Sequence, residues 1–287
     1  MYNLYLNILS DPDHCRQLNV GEALISMFNC RLRNKFEDLW CHHNYIVYVK
    51  EGRKVWHTPH GSYDLQEGTC VFVRKGASIV EQFNDTEFCF FLFFLPDEFI
   101  CEVLKRKSTP IYKSGKNYDP VIAIDNNTTV QNFFLSMVPY FESSVKPDQS
   151  LLELKFRELI LTIADNPMNS QLLSYFSSLL QEPQTVSLKK VMEDNLCFNL
   201  KLEEFARLSS RSLSAFKRDF IRLYNTSPGK WLMEKRLEYS LHLLTNMHKT
   251  VAEAAFESGF ENASHFSRAF RQRYGSPPVS KKQQVSA

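Results

Sequence analysis

The sequence predicts an α+β chain of more than one domain: an antiparallel β-barrel or sandwich first, a helical linker element next, and an all-α C-terminal part. Three observations predict it. Residues 15–100 carry short β-branched and aromatic runs punctuated by glycine turns. Residues 149–180 switch to apolar residues at helical spacing. From Ser187 onward strand signals vanish and basic residues dominate. A length of 287 residues suits two domains, each able to bury a core without metal or disulfide staples. With 44% hydrophobic and 23% charged residues, 9 Gly and 12 Pro, collagen-like and low-complexity chains are excluded.

The elements follow in order. Tyr45-Ile46-Val47-Tyr48-Val49 reads as a strand, with Lys50-Glu51-Gly52-Arg53 as the turn after it. Cys70-Val71-Phe72-Val73 follows the turn Gln66-Glu67-Gly68-Thr69, and Gly76 is expected to close that strand. The longest apolar run, Phe88 to Leu95, is far shorter than the roughly 20 residues that cross a bilayer. It predicts a strand buried on both faces, with a partner interface as the other reading, and no membrane partner. Residues 97–112 and 127–142 read as helical or mixed. Leu151, Leu152, Leu154, Leu159, Ile160 and Ile163 predict a helix broken at Asn166-Pro167, and Leu172 to Leu180 predicts a second. This pair is a candidate dimerisation element; packing onto the β-domain is the other reading. Gln181-Glu182-Pro183-Gln184-Thr185 reads as a polar linker. The expected divisions are residues 1–145, 146–183 and 184–287.

Seven cysteines, irregularly spaced and without a CxxC, suggest reduced thiols in a cytoplasmic protein. The N-terminus, MYNLYLNILSDPDHC, has neither a basic n-region nor a small-residue cleavage site. A net charge of +2 hides an asymmetry. Residues 1–183 carry 17 Lys/Arg against 22 Asp/Glu, a net −5; residues 184–287 carry 17 against 10, a net +7. A basic C-terminal third points to a polyanionic partner there.

Two similar helical units lie in that third. In the first, Leu202, Phe205 and Ala206 form the apolar face of a short helix. Ser209 is expected to cap the next helix, which buries Leu213, Phe216 and Phe220. Its other face carries Arg211, Ser214, Ala215, Lys217, Arg218 and Arg222. In the second, Thr250 with Glu253 makes a capping box, and Val251, Ala254 and Ala255 face inward. Gly259 can take the left-handed conformation that ends the helix. Asn262 can cap the next one, which buries Phe266 and Phe270 and exposes Ser264, His265, Arg268 and Arg271. A longer helix joins the units, with Ser227 as cap, Pro228 at the first position, and Trp231, Leu237, Leu241 and Leu244 as its stripe. Two short helices and a tight turn, the second helix basic outside, is a geometry that fits the DNA major groove. A rigid connector could hold two such helices about 34 Å apart, one turn of DNA.

Residues 187–278 resemble the DNA-binding domain of the AraC/XylS family of transcription regulators. The most specific stretch is Gly259-Phe260, then Ser264-His265-Phe266-Ser267-Arg268-Ala269-Phe270-Arg271, then Tyr274-Gly275. Trp56-His57-Thr58-Pro59, Gly61-Ser62-Tyr63-Asp64-Leu65 and Phe88-Cys89-Phe90 resemble the N-terminal domain of the ExsA-like activators, a cupin-like barrel. The resemblance implies a regulator, more an activator than a repressor, that binds double-stranded promoter DNA as a homodimer and works with RNA polymerase. It implies control through the N-terminal domain by a small molecule or a protein. The expected base contacts are Arg211, His265 and Arg268, with Ser214, Ala215, Ala263 and Ser264 close to the bases. The expected phosphate contacts are Ser209, Lys217, Arg218, Arg222, Asn262, Arg271 and Arg273. Phe205, Phe216, Phe220, Phe256, Phe260, Phe266 and Phe270 are read as core. Lys201 stands where the family usually has a Ser or Thr cap, so Asn199 becomes the candidate. Pro277 replaces a usual Ser or Thr, and the tail after Pro278 lacks the usual aromatic.

An enzyme is not expected. A cupin-type metal enzyme and a partner-binding adaptor are the alternatives. Cupin enzymes hold a metal with an HxH pair, but His42 and His43 are adjacent, and strand neighbours face opposite sides. His57 and His60 are read on a turn-rich loop. No cofactor or metal is expected, and no GxSxG, HExxH, P-loop or dinucleotide fingerprint occurs.

Overall fold

A computed structural model of the chain describes residues 1–12, 15–29, 35–83, 88–111, 118–143, 145–181 and 188–283. Glu182 to Thr185 of the expected linker lie outside the described residues. The chain divides into two compact units, Met1–Thr185 and Val186–Ala287.

The first unit runs β1 (Tyr2–Asn3), α1 (Leu4–Leu9), β2 (Arg16–Val20), β3 (Ala23–Asn29), β4 (Phe36–Cys41), β5 (Asn44–Glu51), β6 (Arg53–Thr58), β7 (Gly61–Gln66), β8 (Cys70–Val73), β9 (Gly76–Gln82), β10 (Cys89–Leu95), α2 (Asp97–Lys105), β11 (Val121–Ala123), α3 (Thr128–Glu142), α4 (Gln149–Ala164) and α5 (Ser170–Gln181). The strands make two sheets, ordered β1-β4-β9-β6-β7 and β11-β8-β5-β10-β3-β2. Among the described residues neither sheet closes on itself: of the two expected forms, barrel or sandwich, the strands make two sheets that share a core. All pairings are antiparallel except the two-residue β1–β4 contact. Gly76 opens β9 and does not close β8.

Period-two alternation explains the layers. In β10, Phe90, Leu92 and Phe94 face a core shared with Trp56, Leu65 and Val80 of the other sheet. Phe91, Phe93 and Leu95 face a second core, filled from the helices by Phe134, Phe156, Leu159, Ile160 and Phe176. An apolar run with no polar alternation is what a central strand between two cores requires. Leu152 and Ile163 also enter the second core, whereas Leu151 and Leu154 are exposed. The inner faces of α4 and α5 therefore cover the sheet. Asn166 caps the short turn at Pro167 that separates them.

His42 and His43 sit in the bend between β4 and β5, where strand alternation does not apply, and their ring centroids are 4.2 Å apart. His57 lies in strand β6, not in a loop, between Ser62 Oγ at 2.7 Å and Glu81 Oε2 at 3.0 Å. Among the described residues no three His, Cys, Asp or Glu side chains group to hold a metal. No helix of the described residues is long and apolar enough to cross a membrane.

The second unit is helical: α6 (Leu188–Asp194), α7 (Leu202–Leu208), α8 (Leu213–Tyr224), α9 (Pro228–Thr245), α10 (Val251–Glu257), α11 (Ala263–Tyr274) and α12 (Pro278–Gln283). Helix α9 connects the two helix-turn-helix pairs, α7–α8 and α10–α11, and α12 packs against α9 and α11.

Candidate nucleic-acid interface

Helices α8 and α11 are both 12 residues long and share an aromatic spacing. Phe216, Phe220 and Tyr224 form a row of tilted rings in one, with centroids 5.9 and 4.7 Å apart; Phe266, Phe270 and Tyr274 form a similar row in the other, at 5.4 and 4.6 Å. Both end on a left-handed residue, Asn225 and Gly275. Each is followed by a helix that begins with proline, Pro228 and Pro278. The helices thus run in register: Ser214 with Ser264, Ala215 with His265, Arg218 with Arg268, Asp219 with Ala269, and Ile221 with Arg271.

On α11 the outward face holds Ser264, His265, Arg268 and Arg271, all exposed, with Ala263 at its start half-buried. These positions lie on one face of a 3.6-residue helix. Among the described residues, Arg268 and Arg271 have no acidic partner within ion-pair distance. Arg273 is also exposed and lies over the Tyr274 ring at 5.7 Å. Asn262 caps the helix as expected, its Oδ1 accepting from the backbone N–H of Ser264 at 2.8 Å and of His265 at 3.2 Å. That fixes the Asn262 oxygen on its own backbone and leaves only the amide NH2 for a phosphate.

On α8 the picture differs. Ser212, not Ser209, is the cap, its Oγ accepting from Ala215 N at 3.3 Å. Ser209 is buried in the preceding turn and donates to Ala206 O at 2.8 Å. Ser258 does the same in the second unit, donating to Ala254 O. Ser209 is therefore a buried turn residue whose hydroxyl is bonded within its own turn. Arg211 precedes the helix instead of lying on its outer face. It donates to Ser209 O at 2.8 Å and pairs with Asp219 at 3.5 Å, with a side chain only 19% exposed. That placement differs from the outer-face position expected of a base contact. Lys217, Arg218 and Arg222 are exposed, Ser214 is exposed and Ala215 half-buried. Arg218 and Arg222 also reach Asp219, at 3.4 and 3.6 Å.

Two other expectations change. Phe256 is 59% exposed, because it lies one residue beyond the buried stripe of Ala254, Ala255 and Ser258. Asn199 does not cap α7; its amide donates to the Glu261 carboxylate, and the Glu204 carboxylate accepts from Lys201 N at 2.6 Å. That is half of a capping box, since a lysine side chain has no acceptor. In α10 the box is complete: Thr250 Oγ1 accepts from Glu253 N at 3.2 Å, and Glu253 from Thr250 N at 2.7 Å.

A partly buried joint holds the pairs together. Arg236 of α9 donates to Leu196 O at 2.7 Å and Phe198 O at 2.6 Å, both in the segment before α7. Gly259, with φ +85°, closes the turn of the second pair against this segment. A Cβ there would sit 2.9 Å from Leu196 O and 3.0 Å from Cys197 O. Burial pushes the neighbouring Cys197 thiol up to about 11. Sequence reading found the conformational role of Gly259 but not this close approach, which depends on a segment more than 50 residues earlier.

Two family models match the chain: an ExsA N-terminal regulatory domain over residues 44–175 and a helix-turn-helix domain over residues 205–284. Over both matched regions the chain is similar to the AraC family of transcription regulators. The thermoregulatory protein LcrF of Yersinia pestis is 29% identical over 81% of this chain and 86% of its own length. The virulence regulon transcriptional activator VirF of Yersinia enterocolitica is 29% identical over the same shares. The HTH-type transcriptional regulator ExsA of Pseudomonas aeruginosa is 26% identical over 83% of this chain and 85% of its own length. The protein is a DNA-binding transcription regulator and, like its named relatives, not an enzyme. The helix-turn-helix match contains both α8 and α11, so the basic faces described above lie within the family's DNA-binding domain.

Proposed function

We propose that the protein is a cytoplasmic activator that reads promoter DNA chiefly through α11, while α8 reads a second, less sharply defined stretch. The observation that carries this is the outward face of α11, where Arg268 stands exposed between His265 and Arg271 with no acidic partner among the described residues. Arginine makes paired hydrogen bonds to guanine in the major groove. Arg268 and His265 are assigned to base edges, with Ala263 and Ser264 beside them at the helix start. Lys217, Arg222, Arg271 and Arg273 are assigned to phosphates. Arg218, in register with Arg268, takes over the base-reading role that sequence alone gave Arg211.

The N-terminal unit is proposed as the regulatory input, related to the cupin-like domains and receiving a small molecule or a protein. Residues 1–145, 146–183 and 184–287 are proposed as sensor, helical element and DNA-binding domain. The exposed Leu151 and Leu154 of α4 support a homodimer, and the named activators among the relatives support recruitment of RNA polymerase. The test is binding of the full chain to duplexes selected from a random library, followed across salt concentration. Log K should fall linearly with log salt, because each neutralised phosphate releases counterions. Salt-insensitive binding, or no selected sequence, would overturn the reading.

A further inference from the structure

The two recognition helices differ at one position that the register makes plain: Asp219 on α8 stands where α11 has Ala269. Asp219 is only 18% exposed, and three guanidinium groups converge on it. Arg211 approaches Oδ2 at 3.5 Å from the turn before the helix. Arg218 and Arg222 approach Oδ1 at 3.4 and 3.6 Å from the helix itself. Arg211 is also fixed to Ser209 O. Arg218 and Arg222 are 74% and 73% exposed, so their pairing is weak and both remain available to a ligand.

We propose that Asp219 is a positioning residue that sets the sequence selectivity of the first helix-turn-helix. It rests on the reading of α8 as a DNA-contacting helix. The carboxylate does two things at once. It draws Arg218 along one direction on the helix surface, which limits the directions from which its fork meets a base edge. It also lowers the free positive charge of α8, which weakens phosphate attraction that carries no sequence information. Helix α11 has no such acid: Ala269 stands at the matching position.

The test uses the full chain with Asp219→Asn, Asp219→Glu and Arg218→Ala. Each is measured against a selected duplex and an unrelated duplex of equal length. Asp219→Asn should bind the unrelated duplex about twofold more tightly, because one negative charge near the phosphates is gone. Its ratio of specific to non-specific affinity should fall about three- to tenfold, a fraction of the discrimination a paired arginine contact provides. The lost selectivity should map to the part of the site that Arg218→Ala also blurs, and Asp219→Glu should recover part of it. If both duplexes tighten equally, Asp219 is only a repelling charge and the proposal fails. If both weaken in parallel with a lowered melting temperature, its role is structural and the proposal fails. If Arg218→Ala itself leaves both affinities unchanged, the assignment of α8 to DNA fails, which is a different outcome from either.

Discussion

The two helix-turn-helix pairs share a length, a row of aromatic rings and a left-handed stop, yet they are finished differently. The second has a full capping box at Thr250, a glycine in its turn and an asparagine cap that holds two backbone N–H groups. The first has half a box at Lys201, the non-glycine Ser210 at φ 53° in its turn, and a single serine cap. The outward faces diverge in the same sense. Helix α11 presents three arginines and no acid; α8 presents Arg218 and Arg222 beside Asp219, and an apolar Ile221 that is 49% exposed. The lesson is that a duplicated scaffold keeps its buried aromatics and varies its caps and surface. The unit with better local geometry is also the one with the freer cationic face.

Substitutions in matched positions break or sharpen that comparison. The largest effect is expected at Gly259. Alanine there adds a Cβ at φ +85°, against the Leu196 carbonyl. It should destabilise the C-terminal unit by about 2–4 kcal/mol, seen as a lower denaturation midpoint. Next, Arg268→Ala should weaken specific binding about 10- to 100-fold, while Arg211→Ala changes it by less than about threefold. Equal losses would mean that Arg211 leaves its turn on binding. Third, Asn262→Ala should cost about 1 kcal/mol of stability, and Ser212→Ala somewhat less, since its single cap bond is longer. The smallest effect is expected at Ser210→Gly. Relief of the left-handed backbone offsets the added chain entropy, giving a change within about 0.5–1 kcal/mol of zero. Comparing it with Gly259→Ala by urea melts isolates the turn chemistry of each pair.

Much of this was legible in the sequence, for identifiable reasons. Short β-branched and aromatic runs gave β5, β8 and β10, because such side chains fit a pleated, buried surface and turn residues mark the strand ends. Phe266 and Phe270 gave the buried stripe of α11, and Thr250 with Glu253 gave its partner's start, because caps act within four residues. What was not legible depends on longer range. The closure of a barrel turns on whether the sheet edges β7 and β1 meet β11 and β2, which no local pattern encodes. Ser209 and Ser212 are both good caps by chemistry; only burial of the turn decides between them. Arg211 looked exposed because the acid that holds it, Asp219, is eight positions away and across a turn. The signal that would have corrected the register was present: Phe216-x-x-x-Phe220-x-x-x-Tyr224 repeats as Phe266-x-x-x-Phe270-x-x-x-Tyr274.

The central claim is that α11 reads sequence more sharply than α8. Selection of duplexes from a random library by the full chain tests it most directly. The account predicts two blocks of preferred sequence about one helical turn apart, one sharply defined and one diffuse, with Arg268→Ala blurring only the sharp block. Two equally sharp blocks, or a sharp block that survives Arg268→Ala and is lost with Arg218→Ala, would contradict it.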